Sequence, residues 1–139
     1  MNRISLVPIA VMAALVSGCT SVERAYPGHS YAQVWRAAQV VAESPEYNDW
    51  IVTENNVYVN EENQRVEVYR ILKRERWSPN APPTREEQEW RISLEMVPDA
   101  DPPAVRCLSR GLGVPAHADL EASRYLEEIA SLLRGEDLP

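Results

Sequence analysis

The chain has 139 residues, a formal charge of -7, 25% charged residues, two His and two Cys. That length makes one domain with a buried core of its own, and the charge excludes a sequence-independent grip on nucleic acid or on anionic headgroups by the molecule as a whole. Two cysteines exclude a disulfide framework, so stability has to come from packing.

Met1-Asn2-Arg3 carries one positive charge, and Ile4 to Val16 follows as an apolar run with Ser5 as its only polar residue. As a helix this run spans roughly 20 Å, short of the roughly 30 Å hydrocarbon core of a bilayer, so it reads as the h-region of an export signal. Leu15-Val16-Ser17-Gly18-Cys19 closes it. Small residues immediately before a cysteine, after a charge and an apolar run, resemble the lipobox of bacterial lipoproteins. The resemblance implies cleavage after Gly18, a diacylglycerol thioether on Cys19 and an acylated new N-terminus. Thr20, in place of Asp, implies sorting to the outer membrane, facing the periplasm. Residues 1–18 are thus expected to be a signal peptide, and several acyl chains give stable anchoring.

Thr20 to His29 has no hydrophobic period and contains Pro27-Gly28, so residues 19–29 are expected to form a lipidated tether, with a reach of roughly 16–19 Å. The remainder, 30–139, is expected to be a single α+β domain.

Ser30 with Gln33 makes a capping box, and Tyr31, Val34, Trp35, Ala38, Val41 and Ala42 keep helical spacing until Ser44-Pro45. Trp50–Thr53 and Val57–Asn60 are β-branched and aromatic; they form a tight hairpin or one long bulged strand, and the pattern fits both. Arg65–Lys73 is a strand. Glu87–Met96 is the clearest, because Trp90, Ile92, Leu94 and Met96 alternate with Glu89, Arg91, Ser93 and Glu95. Ala104–Ser109 is a last short strand, after which Gly111 and Gly113 break the chain. Pro115 starts a second helix whose apolar stripe, Ala118, Ala122, Tyr125, Leu126, Ile129, Leu132 and Leu133, runs to Arg134 with Gly135 beyond it. The expected architecture is an antiparallel meander sheet of about four strands, with an N-terminal and a C-terminal helix packed on one face.

No catalytic constellation is visible. His29 and His117 do not stand at metal-ligand spacing from each other or from Cys107, and no nucleophile elbow, phosphate loop or dinucleotide motif occurs. Asn60-Glu-Glu-Asn63 and Asp99-Ala-Asp101 read as solvated turns, and Cys107 as a small buried residue. No enzyme activity, metal or cofactor is expected.

The segment Arg70 to Pro83 gathers positive charge, Trp77 and three prolines into what reads as a long hairpin loop, 74–86. Long loops are often functional, and Trp and Arg are the residue types enriched at hot spots. Trp77, Arg76 and Arg74 are therefore candidate partner-binding residues, set against a structural reading in which Trp77 folds over the sheet and the charges pair with Glu75, Glu86 and Glu87.

Tyr31-Ala-Gln-Val-Trp35-Arg-Ala-Ala38, Trp50-Ile-Val-Thr53 and Val66-Glu-Val-Tyr69 resemble the opening of small helix-grip domains of envelope lipoproteins of the BamC type. That resemblance implies a non-enzymatic interaction or accessory module with a membrane-proximal envelope protein as partner, attached to its membrane through lipid on Cys19, without nucleic acid. Its alternative is a small apolar ligand held between sheet and helices.

Overall fold

Residues 20–111 and 116–135 are described by the structure, a computed structural model, with side chains over 21–110 and 120–135. Residues 1–18, Cys19, Gly113, Pro115 and the side chain of His117 lie outside them. The elements in order are β1 (Thr20–Ala25), α1 (Tyr31–Glu43), β2 (Ile51–Asn60), β3 (Arg65–Ser78), β4 (Ala81–Met96), β5 (Ala104–Gly111) and α2 (Ala116–Leu133).

The first helix begins as its sequence dictates. Ser30 Oγ accepts from the Gln33 amide at 3.2 Å while Gln33 Oε1 accepts from the Ser30 amide at 2.9 Å, so two of the donors that a helix start leaves open are satisfied. Val34, Trp35, Ala37, Ala38, Val41 and Ala42 form its buried stripe. Gly135, at φ 76°, supplies the left-handed residue that ends α2, and its amide bonds the carbonyl of Leu132.

Four strands, β2 to β5, form the expected meander, and every neighbouring pair is antiparallel. On β3 the alternating residues Val66, Val68 and Leu72 face inward, on β4 Trp90, Ile92, Leu94 and Met96, and on β5 Val105 and Cys107. These join the α1 stripe and Ala122, Tyr125, Leu126, Ile129 and Ala130 of α2 in one core, so both helices cover the same sheet face. Each such aliphatic side chain stabilises by roughly 1.5–3 kcal/mol on burial. Cys107 belongs to this core at 0% exposure, a small apolar filler whose thiol burial pushes up to about 12.

Residues 51–60 are one strand, with a bulge between Val52 and Glu54. The other expectations that change do so at the sheet's margins. The sheet has five strands, in the order β1-β5-β4-β3-β2. The tether expected over 19–29 is strand from Thr20 to Ala25, paired with β5 from Thr20↔Ser109 to Ala25↔Ala104. Pairing covers the edge of β5, and Val22 and Tyr26 turn toward the helices; Tyr26 is 4% exposed and donates to the Leu126 carbonyl at 2.9 Å. Only the Pro27-Gly28 turn remains of the tether.

The loop expected over 74–86 is also strand. Beyond Lys73, the partner of Ile51 at the end of β2, and beyond Trp90, the partner of Gly111, β3 and β4 continue as a two-stranded ribbon to the turn Pro79-Asn80. Arg76↔Thr84 and Ser78↔Ala81 are in register with Trp77 alone opposite Pro82 and Pro83. This bulge is where two residues without backbone donors fit a ladder.

Candidate interaction surface

The sheet face away from the helices carries, row by row, Tyr58, Glu67, Ser93 and Leu108, then Asn56, Tyr69, Arg91 and Arg110. Among the described residues no helix covers it, and the twist of the sheet leaves a groove there of about 640 Å³. The groove's charges are held in a mesh. Arg65 binds Glu67 at 3.0 Å and Ser93 at 2.9 Å, and the Arg91 guanidinium lies 5.8 Å from the Tyr69 ring. Below it, Arg106 bridges Glu95 at 3.0 Å and Glu23 of β1 at 3.2 Å. Partial burial and the neighbouring Glu89 carboxylate push the Tyr69 hydroxyl above its ordinary value. Tyr58 is 67% exposed. The arrangement offers aromatic faces framed by guanidinium and carboxylate groups.

The ribbon carries the three residues singled out above, and they differ in what they do. Trp77 is 75% exposed beside the tip and does not fold over the sheet. Arg76 is also exposed, 3.6 Å from Glu86. Arg74 is engaged: its Nε meets Glu86 and its guanidinium lies 4.2 Å from the Trp50 ring, so it clamps the ribbon's base to the loop after α1. The expected pairing of the ribbon charges with Glu75, Glu86 and Glu87 occurs, through Arg85, Arg74 and Lys73 respectively.

Tyr58, Tyr69, Arg91 and Arg110 of the groove were not among the sequence candidates. Their signal was present in the alternation: Tyr58, Tyr69, Ile71 and Leu108 are large apolar residues on the phase opposite to the core residues.

A second concentration of polar groups lies inside. Arg70 is fully buried in the core-facing phase of β3, where its Nε donates to Asn55 Oδ1 at 2.8 Å, Nη1 to the Tyr47 hydroxyl at 2.9 Å and Nη2 to the Ala42 carbonyl at 3.1 Å. Tyr47 donates onward to Glu121, and Arg124 stacks on the Tyr47 ring at 3.9 Å while binding Glu128 at 2.7 Å. Burial, then the Glu121 charge, push the Tyr47 hydroxyl up to about 12. These contacts tie residues 42–50 to the sheet and α2 and make the network structural; the Tyr125 ring packs 5.3 Å from the Arg70 guanidinium, and its buried hydroxyl is left without a hydrogen-bond partner among the described residues.

Cys19, the expected lipid attachment point, precedes the described residues by one position; Thr20 already belongs to β1. Among the described residues no helix is long and apolar enough to cross a membrane, and no group of three or more His, Cys, Asp or Glu is placed to hold a metal ion. Neither a protein-family model nor a curated protein matches the chain in sequence.

Proposed function

We propose that this chain is a lipid-anchored protein of the bacterial cell envelope, attached through Cys19 to the outer membrane, and that it acts without catalysis as an interaction module for a membrane-proximal envelope protein. The observation that carries the reading is the uncovered sheet face with its groove of about 640 Å³ between Tyr58, Tyr69, Arg91 and Arg110. An antiparallel sheet keeps one face wet by alternating polar residues, yet here Tyr58, Tyr69 and Leu108 occupy that face. Beyond the groove, Arg74, in the same phase of β3 as Arg70 and Leu72, fixes the ribbon's base, and Arg76 and Trp77 stand exposed on the ribbon. The filled helix-sheet core favours a surface role over a small apolar ligand held inside it: Val34, Val41, Ala42, Val66, Cys107, Tyr125 and Ile129 have no exposure, and the groove lies on the other side.

The test is affinity capture from native membranes after in-cell cross-linking, comparing the natural chain with Tyr58→Ala, Tyr69→Ala and the pair. The reading expects a stoichiometric envelope protein whose recovery falls at least tenfold in the double variant while the melting temperature stays within a few degrees. Undiminished recovery in the double variant would remove the sheet face from the proposal.

A further inference from the structure

We propose that the tip of the β3–β4 ribbon is a second membrane contact, with Trp77 seated in the headgroup layer of the same bilayer that carries the Cys19 lipid. The inference rests on the lipoprotein reading for the anchor, and it assigns the ribbon tip to lipid while the sheet face remains for the protein partner.

Sheet register sets the direction. Thr20 pairs with Ser109, Ser109 with Ile92, and Ile92 with Val68, so the first residue after the anchor lies in the row of Val68. From that row β1 leads back toward residue 19 in the same direction in which β3 leads to Ser78. Ten residues of strand carry the ribbon about 33 Å past the row. With no tether between lipid and sheet, the bilayer lies at this end, and the ribbon has to run against it.

The chemistry of that end agrees. Four large apolar side chains are strongly exposed among the described residues, Ile51, Tyr58, Trp77 and Leu120. Tyr58 lies in the groove. Trp77 stands beside the ribbon's tip, and Ile51 faces Lys73 at its base. An exposed tryptophan, apolar in its ring and polar at its N–H, suits the membrane–water interface. Residues 76–85 include Arg76 and Arg85 and no acid, and these two pair with Glu86 and Glu75 just outside the stretch, so in a chain of charge -7 the tip carries no net negative charge to repel a headgroup layer. Pro79, Pro82 and Pro83 remove three backbone donors from the turn and its flank, which lowers the cost of taking this backbone out of water.

The experiment uses the full chain purified from membranes and reconstituted into phosphatidylcholine–phosphatidylglycerol vesicles with acyl chains brominated near the glycerol, compared with Trp77→Ala and Trp77→Phe. The expected result is quenching of about a quarter of the emission, the share of one tryptophan in four, absent from both variants. Equal quenching in all three proteins overturns the proposal. So does a Trp77 that brominated lipid leaves bright and that a photoreactive analogue at position 77 links to a protein. Intact-mass measurement on the same sample reads the Cys19 lipid separately. Lipid present without Trp77-dependent quenching removes the ribbon contact and keeps the anchor; Trp77 quenched without lipid on Cys19 removes the anchor and keeps the contact.

Discussion

The Tyr47 hydroxyl accepts a hydrogen bond from the buried Arg70 guanidinium at 2.9 Å, and its own proton goes to Glu121. One hydroxyl thus links two charges that the core would otherwise hold apart. Tyr47→Phe should cost about 1–3 kcal/mol, because it leaves a buried donor and a buried carboxylate each short of a partner. Arg70→Ala should cost about 3–5 kcal/mol, and Arg70→Met distinctly less, since an apolar chain of similar length fills the space without a charge to satisfy. Urea unfolding at pH 7 orders the three; an Arg70→Met variant as unstable as Arg70→Ala would contradict this account of the network.

Alkaline stability follows from groups kept protonated by burial. Desolvation, then the Glu121 charge, raises Cys107 from near 9 to about 12; desolvation also leads for Tyr47, raised from near 10 to about 12. Both are acids whose folded value exceeds the unfolded one, so the unfolded chain releases these protons first. Their contribution is complete below pH 9 and is lost as pH rises toward 12. Unfolding free energy should be nearly flat in this respect to pH 9 and then decline. Cys107→Ala should flatten the first part of the decline, and a profile unchanged by that substitution would exclude the thiol as its source.

The same burial predicts an inert thiol. At pH 8 iodoacetamide should leave Cys107 of the folded protein unmodified and alkylate it promptly in denaturant, which mass spectrometry reads directly.

Arg74 joins the ribbon to the body through Glu86 and the face of Trp50. Arg74→Ala should speed amide exchange across 74–86 several-fold while changing global stability by about 1 kcal/mol or less, because the side chain is 29% exposed. Trp77→Ala, at an exposed site, should likewise cost under about 1 kcal/mol.

If β1 is part of the fold, Tyr26→Ala should destabilise by about 3–5 kcal/mol, as for any large buried aromatic, whereas a residue in a free tether would tolerate the change. A thermal melt of the variant distinguishes these outcomes.

What the sequence disclosed and what it hid follow one rule: patterns written by a single buried face are legible. The Ser30–Gln33 box, the α1 stripe, the Trp90–Met96 alternation and the glycine past α2 depend on nearby residues, and each appears as expected. β1 was hidden because an edge strand of six residues with one large apolar side chain has no period to show. The ribbon was hidden because both of its faces are wet and three prolines mimic a loop. Arg70 belongs by composition to the positive segment 70–83, and its position in the series Val66, Val68, Arg70, Leu72 is what marks it as inward-facing. The groove side chains occupy the outer phase of strands correctly anticipated, and it is the register of β2 to β5 that brings Tyr58, Tyr69, Arg91 and Arg110 onto one surface.

The most direct measurement for a lipid-anchored interaction module is mass spectrometry of the native protein after photo-cross-linking in intact cells from a reactive residue at position 69. The account predicts an N-terminal peptide beginning at acylated, thioether-modified Cys19, together with a single envelope protein linked through position 69. An unmodified Cys19 still preceded by residues 1–18, or a chain recovered with no linked protein, would contradict it.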